Sequence, residues 1–157
     1  MKTPDKVAPL YFDDLPVGAR FTSATKAVTE PEIKAFAREF DPQPFHLDNE
    51  AAKATLFKGL AASGWHTMAM TMRLLVDGGA PVAGGIVGAG GEINWPMPTR
   101  PGDVIHVVSE VIQATPSRSR PDRGMVTMRS ETINQQGDVV QVLIAKLVVP
   151  KKPVTAA

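Results

Sequence analysis

Apolar residues recur at helical spacing in the first half of this chain and alternate with polar ones in the second. Ahead of the first helix, "GARFTSATKAV" (18–28) has the apolar and β-branched content of a first strand. Thr29 and Glu32 then form a T-x-x-E capping box with Pro31 in the first turn. Ile33, Phe36, Ala37 and Phe40 follow on one helical face, which predicts a helix that buries that face and ends at Asp41. Asp48 is placed to cap a second, short helix through "NEAAKATLF", broken by Gly59. In "SGWHTMAMTMRLLVDGG", Ser63 is the N-cap and the glycines at the far end supply the C-cap. Between them the residues are apolar or small nearly all the way round, with Arg73 the only charge before Asp77, so this helix is expected to be surrounded by protein. Strands are predicted over roughly 85–95, 104–114, 124–134 and 139–149, with turns at "PTRPGD" (98–103) and "QQGD" (135–138).

A strand, two helices, one enclosed helix and a run of strands imply an α+β fold, an antiparallel sheet wrapped around a central helix. That is the hot-dog architecture. The 157 residues fit one domain, residues 1–150, followed by a loose tail at 151–157. A net charge of +1 gives no field that favours nucleic acid or an anionic membrane as partner. The absence of cysteine excludes disulfides, thiolate metal sites and a cysteine nucleophile, and fits a reducing compartment. The N-terminal stretch "MKTPDKVAPLYFDDL" lacks the apolar core of a signal peptide, and no run is long and apolar enough to span a bilayer. The expectation is a soluble, cytoplasmic domain.

The stretch "FDPQPFHLD" (40–48) sets an acid and an imidazole five positions apart with two prolines between them. Pro42 and Pro44 fix φ, remove two backbone donors and push Asp41 and Gln43 toward extended conformations, so a stiff turn is predicted. A carboxylate beside a histidine can orient it or share acid and base work. The plainer reading is that Asp41 caps a turn and His46 is a polar loop residue. A second element is "ASGWHT". With Ser63 as cap, the amides of Gly64 and Trp65 point outward, unpaired, at the positive end of the helix, where an oxyanion could be held. Here the plainer reading is a glycine chosen for packing. Together, a carbonyl-polarising helix end and an acid/base pair are the components for adding water to an activated alkene, or removing it.

On these residues the chain resembles the MaoC-like acyl dehydratases, or (R)-specific enoyl-CoA hydratases. Their signature, Asp-x-Asn-Pro-hydrophobic-His with a following Ala, stands here as Asp41-Pro42-Gln43-Pro44-Phe45-His46 with Ala51 and Ala52 after it. Gly64 matches the glycine at the head of their central helix, and "NWPMPTRPGD" (94–103) matches a strand-to-strand connection. The likeness covers roughly residues 10–150, with Gln43 in place of asparagine and Phe40 in place of the usual glycine. It implies Asp41 and His46 as the catalytic pair that activates water and manages the proton at the α-carbon. It implies Gly64, with Ser63 and Trp65, as the thioester oxygen site. The implied reaction is hydration of trans-2-enoyl thioesters to (R)-3-hydroxyacyl thioesters. No cofactor is implied, CoA entering only as part of the substrate, and a homodimer or larger homo-oligomer is implied to cover the sheet edges. A hot-dog thioesterase uses the same helix-end amides with a carboxylate base, and a non-catalytic acyl-thioester-binding module is a third reading. Which member of the pair is acid and which is base stays open.

Other residues carry less. His66 points about 200° away from Gly64 at helical pitch and is expected to be a satisfied core histidine. His106 lies in a strand, and the histidines show no metal-ligand spacing. Met68, Met70 and Met72 read as core filler that would also suit an adaptable acyl tunnel. The glycine-rich segment 78–91 matches no phosphate-binding fingerprint. "SRSRPDR", with Arg118, Arg120 and Arg123, reads as a solvated hairpin tip.

Overall fold

Strict alternation in the second half of the chain builds three long strands, β4 (Val104–Pro116), β5 (Arg123–Ile133) and β6 (Val139–Pro150). The computed structural model describes residues 7–154. Ile105, Val107 and Val111 of β4, Val126 and Met128 of β5, and Leu143, Leu147 and Val149 of β6 are buried on the inner face. Both connections are hairpins, of six residues between β4 and β5 and of five between β5 and β6. At residues 134–138 the Asn134 N–H donates to Asp138 O at 2.9 Å, and Gly137 takes the left-handed φ of 84° that the turn needs.

Two short strands stand where one was expected, β1 (Arg20–Thr22) and β2 (Lys26–Ala27), both antiparallel to β4. Ser23 separates them. Its Oγ accepts the Val107 N–H at 2.8 Å, so a side chain replaces a ladder carbonyl at that point. With β3 (Gly88–Asn94) on β6, the six-stranded sheet runs β1-β4-β5-β6-β3, with β2 also on β4. Because β3 lies at one edge and β4 on the far side of β5 and β6, residues 95–103 must cross the sheet. That crossing passes over the start of the central helix.

Helix α1 (Glu30–Phe40) is capped by Thr29, whose Oγ1 accepts the Glu32 N–H at 3.4 Å. It buries Ile33 and Ala37, but Phe40 is 65% exposed, contrary to expectation. The last turn extends past the core, and the Phe40 ring lies against that of Phe36, 5.1 Å between centroids. Pro44–Leu47 forms a short helix, α2, where a plain turn was predicted, because proline at the first helical position loses no needed donor. Helix α3 (Asn49–Lys53) has its predicted cap, Asp48 Oδ1 accepting from Ala51 N at 2.8 Å. It stops earlier than its sequence suggests, since Thr55 Oγ1 donates to the Ala52 carbonyl at 2.7 Å and Lys58 adopts φ 55°.

The central helix α4 (Gly64–Gly78) lies against the sheet through His66, Thr67, Met70, Thr71 and Leu74. The single sheet covers one face only, so the helix is not enclosed: Trp65, Met72 and Val76 on the other face are exposed. The sheet beneath it is partly polar. Ser109 and Ser130 hydroxyls meet at 2.8 Å, Thr71 and Thr132 at 2.6 Å, and the wholly buried Gln141 donates to Thr71 Oγ1 at 3.1 Å. No helix among the described residues is long and apolar enough to cross a membrane.

His66 is in the core, 7% exposed, with its ring stacked on Phe36 at 4.8 Å. It is not satisfied as expected, because Nδ1 has no hydrogen-bond partner. Burial lowers its pKa from the ordinary histidine value, with Glu32 opposing and Lys26 reinforcing that shift. The unfolded chain therefore takes up this proton more readily than the folded one, and stability falls as pH drops from about 6.5 through the lowered folded value. A His66→Leu variant should lose that part of the pH dependence in thermal melts between pH 7 and pH 5. An unchanged acid-side slope would exclude His66 as its source.

Candidate active site

Four elements bring the sequence-predicted residues together. Helix α1 ends at Asp41, α2 carries His46, the connection 54–63 passes beside them, and α4 begins at Gly64. The prolines act as their positions suggest. Gln43, held between them, is extended at φ −106°, ψ 149°, and its N–H donates to Asp41 O at 2.8 Å. The chain thus doubles back tightly, and His46 Nε2 comes within 3.2 Å of Asp41 Oδ2.

The imidazole is 4% exposed and fixed from its other side. Nδ1 lies 2.7 Å from the Ala61 carbonyl oxygen, which can only accept, so Nδ1 carries a proton and donates it. Nε2 is therefore the nitrogen whose proton can change. Its contact with a carboxylate oxygen calls for one proton between them, and the pair acts as a unit that holds it. The ring packs edge-on against Phe45, with centroids 4.5 Å apart, and against Phe57 at 5.8 Å.

Asp41 is kept charged by its neighbours. Burial pushes its carboxyl up, but hydrogen bonds from the Gln43 amide and the Ser63 hydroxyl, with the His46 charge, outweigh that and leave the pKa below the ordinary aspartate value. Gln43 Nε2 donates to Asp41 Oδ1, so the longer amide still reaches the carboxylate. Ser63 Oγ accepts the Trp65 N–H at 3.3 Å. This cap means that the Trp65 amide is not unpaired, contrary to the sequence expectation. Gly64 differs: its N–H has no hydrogen-bond partner among the described residues.

A cavity of about 330 Å³ opens beside the pair, with His46, Phe57, Gly64, Thr67, Trp95 and Thr99 among its walls. Asp41 does not line it and reaches it through His46. Trp65 does not line it either: its side chain is 60% exposed and meets Trp95 edge-on at 5.6 Å. Of the predicted residues, the structure gathers Asp41, His46, Ser63 and Gly64 and leaves the Trp65 ring outside. The packing reading of Gly64 also has support, because a Cβ there would stand 2.6 Å from Trp95 Cε2. Glycine allows the indole to lie against the helix start. Among the described residues, no cluster of three or more His, Cys, Asp or Glu is placed to hold a metal.

Sequence reasoning missed several contributors. The Ala61 carbonyl has no side-chain signature. Trp95 was read only as part of a connection, yet it walls the cavity and donates from Nε1 to Gln141 Oε1 at 3.0 Å. Gln141 also lies 3.6 Å from Met68 Sδ, which lines a second, apolar cavity of about 150 Å³. A lone amide at an inward position of "VVQVLIAKLVV" was the available signal for it.

The pattern of the MaoC like domain matches residues 15–134. A crystal structure of a MaoC-like dehydratase from Rhodospirillum rubrum superposes with a TM-score of 0.91 at 61% identity, covering 92% of this chain and 99% of that one. "Uncharacterized protein YdeM" of Bacillus subtilis is 33% identical over 81% of this chain and 89% of its own length. A 3-hydroxybutyryl-CoA dehydratase of Methylorubrum extorquens is 32% identical over 71% of this chain and 69% of its own length. The hot-dog sheet and its helix, the acid–imidazole pair and these matches lead to one assignment: the chain belongs to the MaoC-like dehydratase domain family.

Proposed function

We propose that this chain is a hydratase/dehydratase that adds water reversibly to trans-2-enoyl thioesters, as CoA esters, to give (R)-3-hydroxyacyl thioesters. The observation that carries this reading is the His46–Asp41 contact of 3.2 Å, with His46 anchored through Nδ1 and lining a cavity that Gly64, whose N–H has no partner among the described residues, also lines. In the hydration direction, water oxygen bonds to the β-carbon and gives a proton to the pair. The alkene electrons move toward the thioester carbonyl, and the oxygen gains charge that the Gly64 N–H stabilises at the helix end. The α-carbon then takes a proton from the pair, so the pair ends as it began and one water has been added. The contact between a carboxylate and an imidazole suits a unit that both takes and returns a proton.

The reading includes pairing of two copies. Trp65, Met72 and Val76 form an exposed apolar stripe on α4, and β3 leaves an unpaired sheet edge beside it. Burying both against a second copy would complete the enclosure that the composition of α4 calls for.

Asp41→Asn and His46→Ala should each lower hydration of crotonyl-CoA by about 100- to 10,000-fold while leaving the fold and CoA-ester binding largely intact. Wild-type rates in both variants would remove these residues from the chemistry. Val76→Glu should shift sedimentation from dimer toward monomer; a wild-type protein that sediments as monomer throughout contradicts the pairing.

A further inference from the structure

Residues 54–63, between α3 and α4, carry no regular secondary structure, yet Leu60, Ala61, Ala62 and Ser63 are buried. Buried backbone without a ladder must find its partners one group at a time. Arg100 provides three, more than any other side chain. Its Nη1 donates to Gly59 O at 2.9 Å and Leu60 O at 3.2 Å, and its Nη2 donates to Phe57 O. Among the described residues no carboxylate forms a salt bridge with this guanidinium. The nearby Asp103 is occupied elsewhere, one oxygen accepting the Arg100 backbone N–H at 2.8 Å and the other the Gln135 amide at 3.0 Å. A cation devoted to carbonyls is a backbone clamp, and only the planar fork can span them.

The clamped segment leads directly into the site. Ala61, the next residue, donates its N–H to Phe45 O at 3.0 Å and accepts from His46 Nδ1 at 2.7 Å. Ala62 N–H donates to Thr99 O at 2.8 Å, adjacent to Arg100 in sequence. Phe57, whose carbonyl Arg100 holds, packs its ring on Phe45 and His46 at 4.9 and 5.8 Å. Residues 99–100 thus hold one side of the segment and residues 45–46 the other. We infer that Arg100 is a positioning residue for His46: by fixing the 57–61 backbone it places the Ala61 carbonyl that selects the imidazole tautomer and aims Nε2. This rests on the reading of His46 as part of the reacting pair, although the coupling itself is structural and can be read without turnover.

The test uses the full chain labelled with 15N-histidine, the His46 signal being identified by its loss in His46→Ala. Neutral His46 of the wild type should carry its proton on Nδ1; a proton on Nε2 would overturn the inference outright. In Arg100→Lys, a mixture of tautomers should appear at His46. Its kcat should fall about 10- to 100-fold with KM changed less than about threefold, and the acid limb of its pH–rate profile should move. If Arg100→Lys does not fold, Arg100→Gln, which keeps the stem and removes the guanidinium fork, is read for the same outcomes. A folded variant with a lower melting temperature but an unchanged His46 tautomer and pH profile would make Arg100 an ordinary brace. Absence of hydration in the wild type, with the tautomer shift still present, would sink the functional reading and leave the coupling standing.

Discussion

Ala61 offers only a methyl group and a peptide unit, yet the site depends on the hydrogen bond from His46 Nδ1 to its carbonyl. That bond fixes which nitrogen of the ring is free to exchange a proton. It also satisfies a buried carbonyl in a segment that has no ladder to do so. The imidazole is thus part of the fold as well as of the proposed chemistry. Removing it leaves a buried acceptor unpaired, a cost of about 1–3 kcal/mol, so some loss of stability accompanies any loss of activity in His46→Ala.

The remaining machinery turns on the same few residues. Asp41 stays charged despite partial burial, with the Gln43 amide donating to it, while Ser63 caps α4. On the far side, Trp95 lies against Gly64 and is held by Gln141, whose amide also meets Thr71. A fully buried glutamine with both ends bonded fixes the position of the indole more strictly than apolar packing would.

The strands, the central helix and its Ser63 cap were legible because alternation and capping are local signals. The stiff Asp41–His46 segment was also legible, since proline acts on its own residue and the one before. The split of the first strand was not, because it depends on Ser23 meeting Val107 across the sheet. The exposure of Phe40 and of one face of α4 follows from how much surface a single sheet can cover, which periodicity does not report. Arg100 and Ala61 escaped notice for a related reason. One clamps backbone distant in sequence and the other contributes backbone alone, so neither leaves a pattern in residue types.

The most direct measurement follows crotonyl-CoA with the purified protein in two channels, the absorbance of the conjugated enoyl thioester and the appearance of free thiol. The account predicts loss of absorbance with no thiol released, as water adds to the alkene and the thioester survives. Thiol release in step with the absorbance change would contradict it and point to hydrolysis. No change in either channel across short- and medium-chain enoyl thioesters would contradict it as well, leaving the cavity a site for binding alone.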